Sequence, residues 1–273
     1  MILEKGPSDF CSGAASDAAD DSDMMNNAIV LDGVTHQLND KPFFKDLSIK
    51  LREKRVGLIG RNGSGKSTLA RMISGLIEPE AGEIRVHGVD IAKDRKKAIE
   101  TIGLIFQNPD HQIIFPTVEE EIAFGLESLS GNRKQAREAA RGFLQSFGRL
   151  DWAERGTFTL SQGQRHLVCL MAVLAMQPKA VLLDEPFAGL DWPTTRRLYH
   201  WLDGLEQQVV LVTHDIDHLE SYDRILWLEK GQLIADGAPL DVLPAYREQM
   251  ERLVFSDDDI LGPGLPALDE ELG

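Results

Sequence analysis

Gly60, Gly63, Gly65, Lys66 and Ser67 fall in the order G-x-x-x-x-G-K-S, with Arg61, Asn62 and Ser64 among the intervening positions. Each residue type has a use toward a polyphosphate. Glycines let the backbone curl so that several N–H groups aim at one phosphate. A lysine at this place reaches the β- and γ-phosphates, and the following hydroxyl is a ligand for Mg2+. The flanking sequence suits the task. An apolar run at 56–59 reads as a strand, and the run at 68–76 reads as a helix whose N-terminus favours an anion. Gly60, Asn62, Gly63, Ser64, Gly65, Lys66, Ser67 and Thr68 are therefore the candidate contacts to a nucleoside triphosphate.

A second cluster is carboxylic. Val181-Leu182-Leu183-Asp184-Glu185 is an apolar strand that ends in two acids, 118 residues beyond Lys66. Charge is costly to desolvate, so adjacent carboxylates at the end of a buried strand call for a task. Beside a phosphate-binding loop, Asp184 suits Mg2+ and Glu185 suits polarising an attacking water. Leu160-Ser161-Gln162-Gly163-Gln164 lies 23 residues before Asp184, counted from Ser161. Ser161 can cap the helix that follows, and a free helix N-terminus also takes phosphate. His214 follows an apolar strand 30 residues past Asp184.

These residues need elements to hold them. Strands are expected at 28–34, 47–51, 56–59, 82–88, 102–106, 180–183, 209–212, 224–228 and 232–235, from apolar runs and alternation. Thr117-Val118-Glu119-Glu120 has the form of a capping box and opens a helix through 127. The Ala-rich run 133–147 favours helix. A third helix spans 164–176 and stops ahead of Pro178. Helices at 193–205 and 215–221 alternate with the later strands. This is an α/β core interrupted by a helical insertion at about 108–176.

Composition bounds the rest. The net charge is −15 over 273 residues. Residues 1–27 carry net −5 and residues 256–273 carry net −6, so most of the excess acid sits in two tails. The expected division is an acidic disordered tail at 1–27, one domain at 28–247 and an acidic tail at 248–273. No broad basic footprint points to nucleic acid. Cys11 and Cys169 have no metal spacing and argue against a disulfide framework. No apolar run reaches the roughly 18 residues of a membrane span, and the acid-rich start is unlike a secretory signal.

Taken in order, the motifs resemble those of ABC transporter nucleotide-binding subunits over about residues 28–245. The resemblance implies a P-loop NTPase core with a mostly parallel sheet, an antiparallel β subdomain and an inserted helical subdomain. It makes Leu160–Gln164 the signature, with Gln162 in place of the usual first glycine. It makes Gln107 the glutamine that senses Mg2+ and water. Ala188-Gly189-Leu190-Asp191 matches the loop that touches the opposite subunit, and His214 the histidine that contacts the γ-phosphate. It implies that Lys66, Gln107, Glu185 and His214 act in catalysis and that Ser67, Gln107 and Asp184 serve Mg2+. Ser161, Gly163, Gln164 and Asp191 would come to the nucleotide across a dimer. The aromatic that the family often stacks on adenine is replaced here by Leu38, with His36 nearby.

The stretch 108–125 is similar to the energy-coupling-factor branch of ABC importers. That resemblance implies a second ATPase subunit (a homodimer is favoured), a small transmembrane coupling protein and an integral-membrane substrate-binding protein. It implies a peripheral place at the cytoplasmic face of the cell membrane. Ile113–Phe115 would line a groove for a coupling helix, or else pack in the core. Gln112-Ile113-Ile114-Phe115-Pro116 is most similar to biotin-uptake ATPases, with cobalt or nickel uptake as the rival cargo. A soluble ATPase of iron–sulfur assembly is the non-transport alternative, and the chain has no room for the long coiled coils of DNA-repair relatives.

Overall fold

The computed structural model describes residues 27–38 and 41–254. The chain enters an antiparallel sheet through β1 (Ile29–Leu38) and β2 (Lys41–Leu51), and then crosses to a second sheet with β3 (Arg55–Ile59). Helix α1 (Lys66–Ile73) follows the glycine loop. The chain then returns for β4 (Ala81–Val86) and β5 (Val89–Asp90), turns through α2 (Arg95–Thr101) and re-enters the second sheet as β6 (Ile102–Ile105). The insertion comprises α3 (Val118–Ser130), α4 (Arg133–Ser146) and α5 (Gln162–Ala175). The chain closes with β7 (Ala180–Asp184), α6 (Trp192–Asp203), β8 (Gln208–Val212), β9 (Arg224–Glu229), β10 (Gln232–Gly237) and α7 (Pro239–Val254).

The first sheet is antiparallel, in the order β2-β1-β4-β5. The second has the order β10-β9-β3-β8-β7-β6 and is parallel from β9 to β6, with β10 as an antiparallel edge. Every residue of β3, β7 and β8 is buried, as expected of strands covered on both faces. One apolar cluster fills the space between the two sheets, including Leu31, Phe44, Leu58, Met72 and Leu182. A second covers the opposite face of the parallel sheet with Leu170, Leu202, Leu211, Trp227 and Tyr246. A third belongs to the insertion and packs Ile122, Ala140, Leu144, Trp152 and Met171.

The expected α/β core with a helical insertion is therefore present, and the differences are local. Residues 89–101, left without an element by pattern, form β5 and α2. α2 is a seven-residue helix whose N-cap Asp94 accepts from the Lys97 amide. The helix expected at 215–221 shrinks to a 3-10 turn at His218–Ser221. The boundary expected at 247 falls inside α7, because Val242 and Tyr246 pack against the sheet and hold the helix through Val254. Residues 1–26 and 255–273, which carry most of both expected tails, lie outside the described residues.

Candidate nucleotide site

β3 delivers the glycine loop and α1 leaves it. Gly60 has φ +147°, and a Cβ there would lie 2.1 Å from the Leu228 carbonyl oxygen, so the loop runs against β9 where only glycine fits. Gly65 is the N-cap of α1 with φ +108°. Lys66 is buried and donates from Nζ to the Gly60 and Arg61 carbonyls at 2.7 and 3.0 Å. Burial lowers its pKa, while the charges of Glu185, Asp184 and Glu229 raise it.

β7 places the two acids differently. Asp184 is buried at the strand end and accepts the Ser67 hydroxyl at 3.0 Å. Burial pushes its carboxyl up, the Ser67 hydrogen bond pulls it down and the neighbouring Glu185 charge pushes it up again. Glu185 has φ +47°, a left-handed conformation that costs an ordinary residue of order 1 kcal/mol or more and is held where the surroundings fix it. Its amide donates to the Val212 carbonyl at 2.9 Å. The turn swings its carboxylate to His214, whose Nε2 stands 2.6 Å from Oε1. His214 lies two residues past β8, so the parallel pairing of β7 with β8 sets this contact.

A cleft of about 470 Å³ joins these groups. Its lining is Leu38, Phe43, Asn62, Gly63, Gly65, Lys66, Ser67, Thr68, Gln107, Glu185 and His214. Asp184 reaches it through Ser67, and Gly60 and Ser64 belong to the loop that forms its floor. Gln107 sits two residues beyond the end of β6.

Ser161, Gly163, Gln164 and Asp191 are not in that lining. They form a second, separate arrangement in the same chain. Ser161 caps α5 in a full capping box: its Oγ accepts from the Gln164 amide at 3.3 Å, and its own amide donates to Gln164 Oε1 at 3.0 Å. Asp191 caps α6, accepting from the Thr194 amide at 2.8 Å and the Thr194 hydroxyl at 3.0 Å; those bonds hold its carboxyl below the usual range. The two caps meet where Gly163 faces Thr194, since a Cβ on Gly163 would lie 2.7 Å from Thr194 Cγ2. Ser161 and Asp191 are exposed.

The box expected at Thr117 is only half made. Thr117 accepts the Glu120 amide at 3.3 Å, but the Glu120 carboxylate accepts the Thr117 hydroxyl and pairs with Arg137 at 2.6 Å. The segment before it is not core. Ile114 is 66% exposed, and Phe115 packs against Phe124 at 5.0 Å. Phe115, Ala123 and Phe124, rimmed by Glu120, Glu127, Arg133 and Arg137, line a groove of about 380 Å³. Phe43 is the cleft residue that the sequence reading missed. The signal was the Phe43-Phe44 pair in a strand, of which alternation buries one and turns the other outward.

The family described as ABC transporter matches residues 44–188. The chain is 52% identical over 226 residues to the biotin transport ATP-binding protein BioM of Rhodobacter capsulatus, covering 83% of this chain and 97% of that protein. It is 35% identical over 251 residues to the energy-coupling factor transporter ATP-binding protein EcfA1 of Leuconostoc mesenteroides, covering 86% and 90%. Among solved structures, the dimeric post-hydrolysis state of the ATP-binding cassette MJ0796 bound to ADP and Pi matches with a TM-score of 0.67. The identity is 25%, over 77% of this chain and 98% of that one.

Proposed function

The chain belongs to the ABC transporter ATP-binding family, and from that premise we propose that it powers an energy-coupling-factor importer of biotin. ATP binding and hydrolysis come with the family. The cargo rests on the 52% identity to a biotin transport ATP-binding protein. The observation that carries the catalytic reading is the single cleft that holds Lys66, Ser67, Gln107, Glu185 and His214.

In this reading the loop amides and Lys66 hold the β- and γ-phosphates. The water oxygen bonds to the γ-phosphorus, the bond to the β–γ bridging oxygen breaks, and Glu185 takes the water proton. His214 holds the Glu185 carboxylate in place through their 2.6 Å contact and faces the γ-phosphate. Ser67 Oγ and Asp184 Oδ1, 3.0 Å apart, are the hard oxygen donors that Mg2+ takes alongside phosphate and water oxygens. Among the described residues no cluster of three or more His, Cys, Asp and Glu would cage a metal by itself. Bound there, Mg2+ would neutralise charge on the phosphate oxygens.

ABC ATPases work as dimers with membrane components, and the separation of the two arrangements gives a reason. The exposed Ser161 and Asp191, with the half-buried Gly163 and Gln164 between them, complete the cleft of a second copy, closing it against water. Among the described residues no helix is long and apolar enough to cross a membrane. The groove lined by Phe115 and Phe124 then seats a helix of a small transmembrane coupling protein, which holds an integral-membrane substrate-binding protein. The chain would sit peripherally on the cytoplasmic face.

The test is an affinity pull-down of this chain from gently solubilised native membranes, with partners weighed and bound small molecules extracted. Two small integral membrane proteins and bound biotin are expected. Bound cobalt or nickel would replace the cargo, and recovery of soluble proteins alone would overturn the transport reading in favour of a soluble ABC ATPase.

A further inference from the structure

The lining of the Lys66 cleft is sorted by chemistry. Loop amides, Lys66, Ser67, Gln107, Glu185 and His214 are polar, and two side chains, Leu38 and Phe43, are apolar. A nucleotide has the same division, with a charged polyphosphate and a base whose two faces are apolar. With the phosphates on the glycine loop, the base falls to Leu38 and Phe43.

Leu38 closes β1, opposite Lys41, and is 48% exposed. As a branched aliphatic it offers contact but no ring face. Phe43 is on the next strand and is braced. Its ring meets the buried Phe44 edge-on, with centroids 5.0 Å apart and planes at 84°. A Cβ on Gly65 would lie 2.5 Å from Phe43 Cε1, so the ring lies directly against the N-cap of α1. On the other side the Phe43 backbone abuts Gly231, where a Cβ would lie 2.2 Å from the Phe43 carbonyl oxygen. The ring is therefore fixed beside the loop that takes the phosphates, and binding it requires little further ordering.

We propose that Phe43, from β2, is the platform for the nucleotide base, taking over from the end of β1, where this chain has Leu38. The inference rests on the ATP-binding reading and is independent of cargo and partners. Stacking on an aromatic face is tolerant of base identity, because every base has a π-face.

The experiment compares Mg·ADP with Mg·pyrophosphate by titration calorimetry on the full chain and on Phe43→Ala. The two ligands share the loop contacts, and only ADP has a base. The expected result is that Phe43→Ala weakens ADP about tenfold, about 1.4 kcal/mol, while pyrophosphate stays within about twofold. Phe43→Tyr keeps ADP near the parent value. Phe43→Leu reproduces the loss and serves if the alanine variant does not fold, as checked by its melting temperature without ligand. Unchanged ADP affinity overturns the proposal. Equal weakening of both ligands also overturns it, because Phe43 would then only support the loop at Gly65. A parent chain that binds neither ligand would sink the nucleotide reading itself.

Discussion

Asp184 and Glu185 are adjacent in the chain but meet different surroundings. Asp184 stays in the sheet, buried against Ser67, and burial raises its carboxyl pKa. Such a carboxyl favours the fold in its protonated form. Its contribution is fully present below the unfolded pKa and is lost as pH rises through the folded value, so near neutrality the buried charge is a cost. Asp184→Asn should therefore raise the melting temperature of the nucleotide-free chain at pH 7.5 by roughly 2–4 °C, for about 1 kcal/mol. The gain should shrink as the pH approaches 4, while Mg·ATP hydrolysis falls at every pH. Thermal denaturation at the two pH values checks this, and a neutral-pH loss of stability would mean that the Ser67 pairing outweighs desolvation. Glu185 instead turns out of the sheet to His214. Glu185→Gln should keep ATP binding, reduce phosphate release by roughly 10²–10⁴-fold and accumulate an ATP-bound dimer. Light scattering after size exclusion with Mg·ATP reads the dimer, and a purely monomeric elution would contradict the assignment.

At the scale of elements, the starts of α5 and α6 are each capped within their own turn and touch at one point. Thr194 cannot easily rotate away from Gly163, because its hydroxyl bonds Asp191 at 3.0 Å. Gly163→Ala should push the two helix starts apart and cost about 1–3 kcal/mol, less whatever the better helix propensity of alanine returns. Adding Thr194→Ser removes Cγ2, keeps the hydroxyl cap and should restore the melting temperature. Additive effects of the two changes would show that the contact does not matter. Such points also mark how far the sequence was legible. The glycine loop, the acids ending β7 and the Ser161 cap could be read because each is local, a motif with its strand or helix alongside. Gln107 and His214 carry no such local motif, and their roles came from the order of motifs in the resembling family. Phe43 was not, because its place depends on how β2 pairs with β1 across shifted register. Residues 89–101 hid a two-residue strand and a short helix whose pattern is too brief to show a period. The domain boundary expected at 247 falls too early, and α7 itself was not expected, because acidic composition resembles a tail while packing of Tyr246 on Trp227 continues the helix.

At the scale of the molecule, the nucleotide cleft and the exposed arrangement at Ser161 and Asp191 sit apart, since the lining of the first does not include the second. Trp192, next to Asp191, is 72% exposed, an apolar surface suited to contact with a second copy. In a two-fold dimer each site then takes Lys66 from one chain and Ser161 from the other. That predicts complementation between two inactive chains. Lys66→Ala removes the phosphate lysine, and Ser161→Arg blocks the capped helix start at a cost in stability of only about 1 kcal/mol. Each variant alone should hydrolyse no ATP. In a mixed dimer the Ser161→Arg chain supplies an intact cleft and the Lys66→Ala chain supplies an intact Ser161, so one of the two sites is whole. With random pairing and independent sites, half the dimers are mixed, and an equimolar mixture should recover about a quarter of the parent rate by symmetry alone. Phosphate release from the two proteins, separately and mixed, checks this. If the mixture stays as inactive as its components, the cleft does not borrow Ser161 from a partner.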